Sequence, residues 1–117
     1  MAMTRALFIV TGDPRTSPRP AEAVRIAAGV GAWKKVEVLF YLREAGILAL
    51  SEFADEFIDE DNYTRYLPIV KEFGRPIYVQ KGAAGLSDIG ESAFAFEEIG
   101  DDQLATMAAQ SNYVLRF

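Results

Sequence analysis

Two stretches of strand length, Ala6–Thr11 and Val36–Leu42, are apolar nearly from end to end. A strand with one wet face alternates polar and apolar residues, whereas a strand covered on both faces reads as a continuous apolar run. Two such runs call for a sheet with material packed on each side. Between them lies Ala21–Trp33, where Ala23, Ile26, Ala27, Val30 and Trp33 recur at helical spacing and predict one apolar face. Ser17-Pro18-Arg19-Pro20 leads into this helix, and proline suits a first turn because the N–H it lacks has no partner there. Ala28, Gly29 and Gly31 are small enough for close approach. Each glycine costs about 1 kcal/mol relative to alanine in a helix, so tight packing is the expected compensation.

Beyond the second run, Arg43–Phe53 predicts a short helix with Ile47, Leu48 and Leu50 inward. Ala54–Asn62 carries Asp55, Glu56, Asp59, Glu60 and Asp61 and predicts a solvated acidic loop. Tyr63–Phe73 predicts a second main helix, with Tyr63, Tyr66, Leu67, Val70 and Phe73 on one face and Gly74 as its C-cap. Pro68 falls inside that span. An interior proline costs about 3 kcal/mol, which predicts a start near Thr64 or later, or a kink. Pro76–Val79 reads as a short third strand, Gly82–Ser92 as a loop with one helical turn, and Ala93–Ile99 as a short strand or irregular run. Asp101 or Asp102 is placed to cap a helix through about Gln110, and Asn112–Phe117 is a final strand.

Strands alternating with helical crossovers predict an α/β chain. The expected architecture is a three-layer α/β/α single domain over residues 1–117, with a mainly parallel sheet of about five strands. The core should centre on Ile9, Val10, Val38, Leu39 and Phe40. In such sheets ligands lie beyond the carboxyl ends of the strands. Those ends are Thr11–Arg15, Tyr41–Glu44 and Val79–Gly82.

Composition narrows the chemistry. The chain has no cysteine and no histidine, which excludes disulfides, thiol nucleophiles, the usual zinc ligand sets and Ser-His-Asp triads. A net charge of −5 and a pI near 4.7 argue against a nucleic-acid partner, which needs a basic patch. No run approaches the roughly 18 apolar residues of a membrane span. Met1–Thr4 lacks the basic flank and apolar run of a signal peptide, so a cytoplasmic location is expected.

Two loops are candidate binding elements. Thr11–Ser17 joins a strand to a helix start, where an anion is favoured, and Arg15 adds positive charge. It is neither a Walker loop nor the G-x-G-x-x-G fingerprint, and an ordinary strand-to-helix turn is the plainer reading. Gln80-Lys81-Gly82 could orient a small polar ligand or be a plain surface loop. The candidate ligand-binding residues are Thr11, Gly12, Asp13, Arg15, Arg43, Gln80, Lys81 and Gly82. Whether Asp13, Arg43 and Lys81 converge in one cleft is the geometric question they raise. No catalytic residue, metal ligand or cofactor is assigned. The acidic run Asp55–Asp61 lacks the ordered spacing and turn glycine of a calcium loop. Glu97 and Glu98, adjacent on a strand, point to opposite faces.

The runs LFIVTGDP, PAEAVRIAAGVGAWKK and VEVLFYLREAGILAL resemble the start of the DsrE/DsrF-like family. IVKEFGRPIYVQKGAAGL resembles its later helix and short strand, and LATMAAQSNYVLRF its closing helix and strand. The resemblance spans nearly the whole chain apart from the acidic loop and Ser87–Ile99. It implies a three-layer α/β/α fold and homo- or hetero-oligomers. Family members relay sulfur as a persulfide, in tRNA thiolation or in sulfur oxidation. The sulfur-carrying members have a cysteine after the third strand, and the corresponding position here is close to Gln80. Glutamine cannot form a thiolate or accept sulfane sulfur, so this chain alone cannot carry out sulfur transfer.

The function expected from these readings is a non-catalytic, oligomeric DsrE-like binding or scaffolding protein associated with sulfur metabolism. One alternative is a subunit of a sulfurtransferase complex whose cysteine comes from a partner chain, a cysteine-bearing DsrE-like relative. Another is a small-molecule enzyme using Asp13, Arg15 and Lys81. Homo-oligomerisation is expected on composition as well. The chain carries one Trp, five Tyr and eight Phe. Phe53, Phe57, Phe94 and Phe96 fall in irregular segments, where a subunit interface would keep them from water. The resemblance puts that interface near the acidic loop and Gly82–Ile99.

Overall fold

The two apolar runs lie side by side at the centre of the sheet. The computed structural model describes residues 3–51, 56–73, 75–90, 92 and 94–117. It pairs β1 (Thr4–Val10) with β2 (Val36–Leu42) in parallel, Phe8 beside Phe40 and Val10 beside Leu42. Among the described residues, β3 (Ile77–Gln80), β4 (Phe96–Ile99) and β5 (Tyr113–Arg116) complete a five-stranded sheet in the order β4-β3-β2-β1-β5. Every pairing is parallel.

Alternate residues of these strands feed two separate cores. Ala6, Phe8, Val10, Val38, Phe40, Leu42, Ile77 and Val79 pack beneath α1 (Arg19–Ala32) and α2 (Glu60–Lys71). Leu7, Leu39, Tyr41, Tyr78 and Ile99 face the other way, where Leu104, Met107 and Ala108 of α3 (Asp101–Ala109) cover them. Both faces of the central strands are therefore dry, which is why their sequence does not alternate. The expected α/β layering holds. Val10, Val38, Leu39 and Phe40 are buried, but Ile9 is only partly so. Ile9 lies on the α3 side, next to the edge strand β5 and level with the exposed Arg116.

Helix α1 turns its smallest residues to the sheet. Pro20, Ala21, Ala23, Val24, Ala27 and Ala28 are buried, Ile26 and Val30 are partly so, and Trp33 is 64% exposed. The buried face is therefore rotated from the expected stripe. The two glycines also differ. A Cβ on Gly31 would lie 2.1 Å from the ring of Phe73, two residues past the end of α2, so that ring packs where the side chain would be. A Cβ on Gly29 would meet nothing within 4 Å, so close packing does not account for Gly29.

Helix α2 begins four residues earlier than Pro68 suggests and runs through it. Glu60 and Asp61, expected in a solvated loop, form its first turn, where carboxylates favour the helix dipole. Thr64 and Pro68 are both exposed, so the carbonyl left without a donor lies on the wet side. Tyr63, Leu67 and Val70 are buried on the opposite face, and that packing outweighs the proline penalty.

Arg43–Phe53 was expected to be helical. The chain instead forms a 3-10 helix, Glu44–Leu50, with Ile47, Ala49 and Leu50 buried. Gly100 rather than Asp101 or Asp102 occupies the N-cap of α3, and the two aspartates stand in its first turn. Phe57 is buried in the chain's own core, edge-on to Tyr63 at 5.1 Å. Phe94 and Phe96 pack against the same core. Phe57 is therefore used internally, while Phe94 and Phe96 are partly covered by the same core. Phe53, Ala54, Asp55, Gly74 and Ala93 lie outside the described residues.

Candidate functional site

The parallel arrangement brings the carboxyl ends of β1, β2 and β3 to one edge, with the candidate residues on the loops that leave it. The β1–α1 loop is tied at its root. Thr11 donates both its backbone N–H (2.9 Å) and its hydroxyl (3.3 Å) to the Phe117 carbonyl. Gly12 sits close beneath Pro20, where a Cβ would come within 3.3 Å of the ring. Asp13 then folds the loop around itself. Its carboxylate accepts from the Arg15 backbone N–H at 2.9 Å, from Nε at 3.1 Å and from Nη2 at 2.9 Å. Its carbonyl accepts from the N–H groups of Thr16 and Ser17. The hydrogen bond from Arg15 holds the Asp13 carboxyl below its usual range, and the same contact raises Arg15. Arg15 also lines a cavity of about 310 Å³ with Leu48, Ser51, Glu56 and Phe57, on the α2 side of the sheet.

Arg43 faces the opposite layer. Its Nη1 donates to Asp101 Oδ1 at 3.0 Å and to the Tyr41 hydroxyl at 3.3 Å, linking the end of β2 to the first turn of α3. Its backbone N–H donates to the Val10 carbonyl at 2.9 Å. Hydrogen bonds from Arg43 to Asp101 and Tyr41 raise Arg43, and burial raises Tyr41. Glu44 follows at φ 54°, a left-handed conformation disfavoured for a residue with a side chain. Its N–H donates to Gln80 Oε1 at 3.1 Å, so the glutamine amide braces the strained turn. Gly46 passes directly over β1. A Cβ there would lie 2.2 Å from the Val10 carbonyl oxygen, so no other residue fits without moving backbone.

At β3, the Lys81 N–H donates to the Ile99 carbonyl at 3.0 Å, and the Lys81 side chain is exposed without a partner among the described residues. Gly82, at φ 70°, donates its N–H to Glu98 Oε1 at 3.2 Å. Asp13, Arg43 and Lys81 thus belong to three local arrangements, and no hydrogen bond or ion pair joins them. Asp13 turns to Arg15, Arg43 to α3, and Lys81 to solvent.

Several participants carry no sequence signal for the contacts they make here. Asp101, Glu98 and the Glu44 backbone become visible only once α3 returns across the sheet and β4 joins β3. Tyr63 is buried, and its hydroxyl is the one buried side-chain polar atom without a partner among the described residues. Burial, with Asp59 and Asp13 adding to it, pushes its ionisation well above the usual tyrosine range. Among the described residues no group of three or more carboxylates is gathered to hold a metal ion, and no helix is long and apolar enough to cross a membrane.

Among solved structures, the chain is similar to the ychN protein from E. coli. The match covers 98% of this chain and 100% of that one, with a TM-score of 0.79 and 17% sequence identity. At that identity the likeness is one of fold, and the five-stranded parallel α/β architecture is DsrE-like. No family model matches the chain, and no curated protein matches it.

Proposed function

We propose that the chain is a single-domain, non-catalytic DsrE-like subunit that works as an oligomeric binding or scaffolding protein. The observation that best supports this reading is the employment of Gln80. The resemblance puts the sulfur-carrying cysteine of the family near this position. Here the side chain accepts the Glu44 N–H and braces the end of β2 against β3. A position that would carry a reactive group is occupied by a structural one.

The neighbouring charges are similarly engaged, Asp13 with Arg15 and Arg43 with Asp101. Thr11, Gly12, Asp13, Arg15, Arg43, Gln80, Lys81 and Gly82 then form a rim for a small polar ligand. Lys81 is the cation on that rim free to meet it.

The test is incubation of the purified chain with a persulfide donor, followed by desalting and assay of protein-bound sulfane sulfur. The reading predicts no transferable sulfur on this chain. Stable, stoichiometric labelling would overturn it.

A further inference from the structure

In a parallel sheet every strand starts at one end, and the crossover helices finish there. The exposed apolar side chains gather at that end. The large hydrophobics left exposed among the described residues are Met3 (47%), Trp33 (64%), Ile58 (38%), Tyr113 (62%) and Val114 (42%). Met3 precedes β1, Trp33 closes α1, and Tyr113 and Val114 open β5. All but Ile58 therefore belong to the amino end of the sheet, opposite the candidate ligand rim. Large exposed apolar patches are uncommon on soluble monomers and mark interaction sites.

A cleft of about 560 Å³ opens at the same end, between the last turns of α1 and α2 and the start of β2. Met3, Val36, Ile69 and Phe73 give it apolar walls, and the exposed Lys34 and Glu72 also line it. Gly31 contributes to its shape, since the Phe73 ring occupies the space of the missing Cβ. Lys34 stands at φ 63° and donates its N–H to the Gly31 carbonyl at 3.0 Å. A left-handed turn at a non-glycine residue costs about 1–2 kcal/mol. This one ends α1 immediately after Trp33, leaving the indole outside the core.

We infer that a second copy of this chain covers this end, with Trp33 of each copy seated in the cleft of the other across a twofold axis. This rests on the oligomeric reading above and names its surface. Three observations select a second copy over an unrelated partner. A twofold contact needs one patch that bears both the protruding group and its receptor. Trp33 adjoins Ala32 and Lys34, which line the cleft, so both lie on one patch. The charges are self-complementary as well. Lys34 and Lys35 follow Trp33 directly and Glu72 lines the cleft, and none of them makes an ion pair among the described residues. Twofold pairing sets the lysines of one copy against Glu72 of the other, which fixes orientation. The area is also sufficient. Two exchanged indoles and the walls they cover remove roughly 600–800 Å², and Met3 with the lysine stems brings the sum to roughly the 1,000 Å² that a specific interface needs.

Trp33 is the chain's one tryptophan, so its emission reports on this site alone. The experiment combines sedimentation equilibrium with acrylamide quenching of the intact chain over a concentration series. It is repeated for Trp33→Ala, Glu72→Lys and the double variant Glu72→Lys/Lys35→Glu. All three positions are exposed, and circular dichroism checks that the variants fold. Quencher access to Trp33 should fall as the chain associates. A central aromatic anchor is worth enough that Trp33→Ala should weaken association by at least about 30-fold. Glu72→Lys should weaken it, and adding Lys35→Glu should restore it. Unchanged association in Trp33→Ala, with the indole open to quencher throughout, would overturn this surface and leave the oligomeric reading standing. A 12.9 kDa species at every concentration would overturn both.

Discussion

Truncating Phe40 to alanine tests whether β2 is the doubly covered centre of the sheet. Phe40 is 2% exposed and packs beneath α1 and α2. Its ring stacks on Phe8 with centroids 6.3 Å apart and planes 25° from parallel, and Phe8 stacks in turn on Phe117. Returning a buried phenylalanine side chain to water costs about 1.5–3 kcal/mol. The lost aromatic pair adds about 0.5–1.5 kcal/mol. Any cavity that fails to collapse adds about 1 kcal/mol per 40 Å³. The sum is about 3–5 kcal/mol, a large part of the stability of a domain of this size. Urea unfolding followed by circular dichroism should show the midpoint fall with the slope unchanged. Thermal unfolding should move down by about 10–20 °C. A loss below about 1 kcal/mol would refute the central placement of β2, since only an edge or wet position tolerates the change so easily.

Other expectations come from single contacts. Tyr63→Phe removes a buried hydroxyl that has no partner, so the variant should be as stable as the parent or more stable by about 1 kcal/mol in urea; a clear loss would mean that the hydroxyl is bonded. Gly29→Ala should stabilise α1 by about 1 kcal/mol, because the added methyl meets open space. Gly46→Ala should destabilise by about 1–3 kcal/mol, because the methyl would strike the Val10 carbonyl; equal effects at the two glycines would refute the close approach over β1. Burial alone would raise the Glu37 carboxyl, but Arg5 and Arg75 more than reverse this and hold it below its ordinary value of 4.5. Its stabilising contribution is therefore present above that value and is lost as pH falls through the lower folded value. Unfolding midpoints measured down a pH series should drop over that range in the parent, and the drop should be smaller in Glu37→Gln.

The strands and helices were legible where burial alone decides them. β2 runs from Val36 to Leu42 as its apolar residues suggest, and β1 and α1 differ from expectation by only a few residues. What the residues could not show were effects decided by neighbours distant in sequence. Pro68 argued locally against a continuous helix, yet the buried face of Tyr63, Leu67 and Val70 carries α2 through it. Phe57, Phe94 and Phe96 looked stranded because their segments lack periodicity, but the fold lays those segments over the core. At the candidate rim, the positions beyond the strand ends followed from the parallel topology. The pairings did not. Asp101 reaches Arg43 only because α3 returns across the second face, and Gln80 meets the Glu44 N–H only because β2 and β3 are neighbours. The spacing of Trp33 fits a helical stripe, and nothing in it indicates that the residue closing α1 stays exposed.

Sedimentation equilibrium of the intact chain tests the central claim, that this DsrE-like chain acts as an oligomeric subunit, most directly. The account predicts a weight-average mass that rises with concentration to an integral multiple of 12.9 kDa. A 12.9 kDa species persisting at the highest concentration would contradict it.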